Sequence, residues 1–109
     1  MQFLMLVCVD TEPVAAQDGT PDVEEWVQTH DASGVRLVGN RVCAAKDAKV
    51  VRVRDAKRIV TDGPFLETKE VLAGFDVLEC RDMDHAIEVA AGHPMAWGGV
   101  IELRALPTD

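Results

Sequence analysis

Phe3-Leu4-Met5-Leu6-Val7-Cys8-Val9 is an unbroken apolar run of strand length close to the start of the chain. A strand with water on one face alternates apolar and polar side chains, so a run without alternation predicts a strand covered on both faces. The rest of the chain has to account for two covers. Two amphipathic helices supply one. Val23, Trp26, Val27 and His30 recur at i, i+3, i+4 and i+7, a single buried stripe. Thr20 is placed to cap this helix, Pro21 to occupy its first position, and Gly34 to end it, with Asp22, Glu24 and Glu25 in the opening turns. A second helix starts at Asp82 and carries Met83, Ala86, Ile87, Ala90 and Ala91 on its stripe, before Gly92 and Pro94 stop it.

Between and after the helices the period changes to two. Val35 to Val42 reads as a strand with a bend or bulge at Gly39-Asn40. Val51-Arg52-Val53-Arg54 and Arg58 to Thr61 alternate on either side of Asp55-Ala56-Lys57 and predict a hairpin. Phe75 to Cys80 is a further strand, and Ile101, Leu103 and Ala105 alternate with Glu102 and Arg104 in a last one. Strand, helix, hairpin strands, helix, strand is an α+β arrangement of the ferredoxin-like split βαβ kind: one antiparallel sheet with both helices on one face. Residues 1–109 form one domain. With no third helix in hand, the second cover is expected to be another copy of the same sheet, giving a homodimer.

Asp62-Gly63-Pro64-Phe65-Leu66-Glu67-Thr68-Lys69-Glu70 concentrates ionisable groups around a rigid corner. Pro64 fixes its own φ near about −65° and disfavours the α region for Gly63. Charges held on such a loop are placed for binding, and Asp62, Phe65, Glu67, Lys69 and Glu70 are candidate site residues, with Arg52 from the neighbouring hairpin. A tight turn carrying solvated charges is the plainer alternative.

Charge narrows the list of partners. Nineteen acidic against eleven basic residues give a net charge of −8, which repels phosphate backbones and anionic membrane surfaces. Nucleic acid and membrane are therefore not expected as partners. Cys8, Cys43 and Cys80 are odd in number and without CxxC spacing, which suits reduced thiols in a cytoplasm better than a disulfide framework or zinc ribbon. No metal-ligand spacing, phosphate loop or nucleophile elbow occurs, so neither metal nor cofactor is expected.

Taken in order, the opening strand, Val51-Arg52-Val53-Arg54, the segment from Asp62 to Glu70, Ala73-Gly74-Phe75, Asp82-Met83-Asp84-His85-Ala86, Gly92-His93-Pro94 and the closing Gly99 to Arg104 resemble the YCII-related family. The resemblance lies with the branch named for its Asp-Gly-Pro-Phe motif. It implies a dimeric α/β barrel of ferredoxin-like protomers with a small-molecule pocket near the motif loop. Some relatives are encoded beside extracytoplasmic-function sigma factors, and others resemble lyases or dehydrochlorinases of ring compounds. The chain departs from the usual pattern at Cys8, at Asp55-Ala56, at Asp76 and at Ala105. Asp76 is a carboxylate inside an apolar strand, where it must be solvated, paired or at the pocket.

The resemblance also suggests Asp62 and His93 as a carboxylate–imidazole pair. Such a pair moves protons at neutral pH, and with Lys69 or Arg52 as anion stabiliser it would serve a cofactor-free lyase or isomerase. His93 also stands at a helix end, where a cation is favoured by the dipole, so a capping role is open to it. Two non-catalytic alternatives remain: a module that only binds a small molecule, and a regulatory partner of a sigma factor.

Overall fold

The computed structural model describes residues 1–12, 14–63 and 70–108. The elements run β1 (Gln2–Asp10), α1 (Val23–Ala32), β2 (Arg36–Arg41), a 3-10 turn (Ala45–Asp47), β3 (Lys49–Arg54), β4 (Lys57–Asp62), β5 (Glu70–Glu79), α2 (Met83–Ala91), α3 (Met95–Gly98) and β6 (Val100–Ala105). Four strands form one sheet in the order β2-β5-β1-β6, every neighbour antiparallel. β1 and β2 thus run parallel with β5 between them, the split βαβ connection expected of an α+β chain of this pattern.

β1 is central, as its unbroken apolar run requires. Phe3, Met5 and Val7 point to one face and are buried with Trp26 of α1 and Ala86, Val89 and Ala90 of α2. Leu78 of β5 lies opposite Phe3 and completes the centre of this core. Both longer helices therefore cover the same face. Leu4 and Leu6 point to the other face, opposite Val77 and Phe75, and are only half-buried.

Several boundaries differ from expectation for identifiable reasons. α1 starts at Val23 behind Asp22, not behind Thr20, whose hydroxyl instead donates to the Gln17 carbonyl. Gly34 does follow the helix end, in the left-handed region at φ 79°. The irregular register in β2 falls between Arg36 and Val38, and Gly39 stays paired with Asp76. On α2, Asp82 accepts from the His85 amide at 2.8 Å as expected of an N-cap. Its buried face, however, runs through Ala86, Val89 and Ala90, and Ile87 is 52% exposed. Six of the nine α2 positions are apolar or small, more than one face needs, so spacing alone does not choose the face.

Among the described residues β3 and β4 pair only with each other, as a hairpin outside the main sheet. The turn has two residues, Asp55 and Ala56, both at positive φ, with Arg54 paired to Lys57. Positive φ at both central positions matches the twist of the flanking strands. Val51 and Val53 are 62% and 60% exposed, and Ile59 and Val60 are exposed as well. No helix among the described residues is long and apolar enough to cross a membrane.

Candidate functional site

The helix-covered face of the sheet does not close completely. A cavity of about 510 Å³ lies between α1, the start of α3 and strands β1, β2 and β5. Val7, Val9, Trp26, Val27 and Met95 contribute apolar wall, and Arg36, Arg41, Asp76 and His93 contribute the charged and titratable groups. Apolar walls around a few convergent polar groups are the usual make-up of a small-molecule site.

His93 follows α2 and is buried, with Trp26 packed edge-on against it at 4.7 Å between ring centroids. Trp26 is itself fixed by Nε1 donating to the Val89 carbonyl at 2.9 Å. The Met95 amide donates to His93 Nδ1 at 3.0 Å. An Nδ1 that accepts carries no proton, so the neutral ring holds its hydrogen on Nε2. Burial first, and then the Arg36 guanidinium, push His93 below the ordinary histidine range. At neutral pH the ring is therefore a neutral Nε2–H donor.

Arg36 and Asp76 form the second part of the site. Arg36 Nε donates to Asp76 Oδ1 at 2.7 Å, and Arg36 Nη1 donates to Asp31 Oδ1 at 3.0 Å. Register explains how residues 36 and 76 meet: Gly39 lies opposite Asp76, and without a Cβ it leaves room for both side chains. A Cβ there would stand 2.6 Å from Arg36 Nη2 and 2.8 Å from Asp76 Cγ, with Oδ1 closer still. Burial pushes the Asp76 carboxyl above the usual range, and the Arg36 hydrogen bond pulls it back. Arg36 Nε, 2.7 Å from Oδ1, favours the carboxylate form. Asp76 Oδ2 and His93 Nε2 make no hydrogen bond among the described residues, and no buried side-chain polar atom there lacks a partner, so both keep accessible surface.

The residues singled out in the sequence are distributed unevenly about this cavity. His93 is in its wall. Asp62 ends β4, where Lys49 forms an ion pair with it and the side chain is 80% exposed. The structure thus gives Asp62 a lysine partner and gives His93 a backbone amide, Trp26 and the field of Arg36. Arg52 is a half-buried residue of β3 opposite Ile59. Gly63 donates to the Ala48 carbonyl at 2.9 Å, which ties the chain just after β4 to the residue before β3. Phe65, Glu67 and Lys69 lie outside the described residues, and of Glu70 only the backbone, opposite Asp10 at the start of β5, is described. Asp76 announces itself in sequence as a carboxylate within an apolar strand; Arg36 and Arg41 carry no such signal.

The sequence matches the YCII-related domain over residues 1–107. It is also 40% identical over 50 residues to an uncharacterised protein of Rhizobium meliloti (strain 1021). That alignment takes in 46% of this chain and 40% of the relative, so the chain spans less than half of that protein's length. With all but its last two residues matched, the chain belongs to the YCII-related domain family.

Proposed function

We propose that this protein binds a small molecule in the cavity beneath α1 and works on it by cofactor-free proton transfer of the lyase or isomerase kind. The observation that carries this reading is a buried neutral imidazole with a fixed tautomer, His93, sharing an apolar cavity with the Arg36–Asp76 pair. Groups whose surroundings push their proton affinities away from ordinary values, gathered in one concavity, are the mark of a reaction site. Phe65, Glu67, Lys69 and Glu70 of the Asp62 to Glu70 segment, by which the chain resembles the Asp-Gly-Pro-Phe branch, are kept with Arg52 as proposed substrate-binding residues. Asp62 is a second candidate acid–base group for a site completed by that segment.

The protein is further proposed to be a homodimer in the cytoplasm. An isolated two-stranded hairpin is marginal in water, and this one exposes Val51, Val53, Ile59 and Val60, while Leu4 and Leu6 on the second sheet face are only half-buried. Light scattering at micromolar concentration should give twice the 11.9 kDa chain mass. A monomer would turn weight to a different protein meeting this hairpin, the regulatory alternative for which a sigma factor is the candidate.

The site itself is tested by a thermal-shift screen of a metabolite library on the wild type, His93→Gln and Asp62→Asn. A ligand at 100 times its dissociation constant stabilises by about 2.7 kcal/mol. For a domain of this size that raises the midpoint by roughly 10 °C. A hit lost in His93→Gln and kept in Asp62→Asn supports the cavity. A hit lost only in Asp62→Asn moves the site to the motif loop. A hit without turnover leaves a binding module.

A further inference from the structure

We infer that the cavity takes an oxo acid with an apolar body and enolises it, Asp76 removing the proton beside the carbonyl and His93 Nε2–H holding the carbonyl oxygen. The inference rests on reading the cavity as the ligand site and names its chemistry.

The roles follow from which atoms are occupied. His93 Nδ1 is taken by the Met95 amide and Nε2 bears hydrogen, so the ring has a hydrogen bond to give and no free lone pair to receive a proton. That excludes it as the base and suits it to polarise a carbonyl. Asp76 is the carboxylate in the same cavity wall. Its Oδ1 is fixed by Arg36, and its Oδ2 keeps accessible surface without a hydrogen-bond partner among the described residues. A carboxylate base set beside a neutral imidazole donor is a recognised way of forming an enolate at neutral pH. Burial raises the proton affinity of Asp76, which helps it compete for a carbon-bound proton.

The step balances without a co-reactant. The C–H bond breaks, its electron pair becomes the new C=C bond, and the carbonyl π pair moves onto oxygen against Nε2–H. Asp76 Oδ2 gains the proton and returns it to the oxygen or to the carbon it left, which restores the carboxylate. Nothing is oxidised or reduced.

Charge selects the substrate's other end. Arg36 is already shared between Asp76 and Asp31. Arg41 lines the same cavity, is exposed, and has no carboxylate partner among the described residues. It is the cation left for an anionic substituent, while Trp26, Val27 and Met95 offer an apolar wall to the rest of the substrate.

The test uses 4-phenyl-2-oxobutanoate and its uncharged counterpart 4-phenyl-2-butanone. Exchange of the hydrogens beside the carbonyl is followed by NMR in deuterated buffer, and binding by thermal shift. The wild type should accelerate exchange, and act faster on the acid than on the ketone. Arg41→Gln should remove that preference, lowering the rate on the acid toward that on the ketone. Asp76→Asn should slow exchange roughly 100-fold or more while still binding. The wild-type pH profile supplies a check needing no variant. Arg36 and Arg41 from β2, Asp31 from the end of α1 and His93 after α2 are the charged or titratable groups around Asp76. The rate should climb as Asp76 ionises and stay level through neutrality, because His93 keeps one form there. Binding without exchange overturns the inference and leaves the ligand-site reading standing. A second inflection near neutral pH overturns the assignment of roles. Exchange that survives Asp76→Asn overturns the base. If neither probe binds, the oxo-acid class is wrong.

Discussion

Gly39→Ala should destabilise the protein through two residues that it leaves unchanged. The added methyl would stand 2.6 Å from Arg36 Nη2 and 2.8 Å from Asp76 Cγ, so the ion pair must move. Alanine also removes unfolded-chain freedom, which favours the variant by about 0.4–1 kcal/mol. Against this, overpacking a close-packed site costs about 1–3 kcal/mol. Breaking a buried pair outright by deleting a partner costs about 3–5 kcal/mol. Here both partners survive, Arg36 is 17% exposed and retains Asp31, and only part of that cost applies. The net expectation is a loss of about 2–3 kcal/mol, which thermal unfolding would read as a drop on the order of 10 °C. The control is the same substitution in an Arg36→Met/Asp76→Met background, where the coupling should shrink toward zero. A Gly39→Ala melt within a degree or two of the wild type, or an equal loss in both backgrounds, would refute the account of Gly39 as the socket for this pair.

Four further outcomes are expected. His93 has its pKa lowered by folding, so its contribution to stability is full above the unfolded value of 6.5 and is lost as pH falls below it. His30 shifts the same way and adds to the effect, so the melting midpoint should fall from pH 7.5 to 5.5, and fall less steeply in His93→Gln. Asp76 works in the opposite sense: its raised pKa favours the folded state most below 3.8, an advantage lost as pH rises through the folded value, so Asp76→Asn should flatten the acid end of the stability profile. Asp82→Ala removes the amide cap of α2 and should cost about 1 kcal/mol in denaturant unfolding. Asp62→Asn breaks an ion pair whose partners are 60% and 80% exposed, so the change in stability should stay below about 0.5 kcal/mol, with a larger loss showing that the motif corner is part of the fold's support.

The order of elements could be read from the chain because each announces itself locally. The unalternating β1 run, the α1 stripe through Trp26 and the hairpin around Asp55 and Ala56 all depend on near neighbours. Where local pattern was degenerate, it misled. α2 is so rich in small and apolar residues that Val89, not Ile87, completed its buried face. α3 is too short to show a period. The site depended on contacts between distant residues. Arg36 meets Asp76 across forty positions because β2 and β5 pair in one register. The role of His93 turned on a single amide, that of Met95, which side-chain pattern does not reveal.

The position of Trp26 gives the cavity a native optical reporter. Its indole lies 4.7 Å from the His93 ring and 5.0 Å from that of His30, in the wall any occupant would touch. The chain has one other tryptophan and no tyrosine, so a Trp97→Phe variant would leave a single emitter. Its emission would register both the entry of a ligand and the charging of either imidazole. The two events can be told apart by titrating one while the other is held fixed, and no dye need be attached to so small a protein.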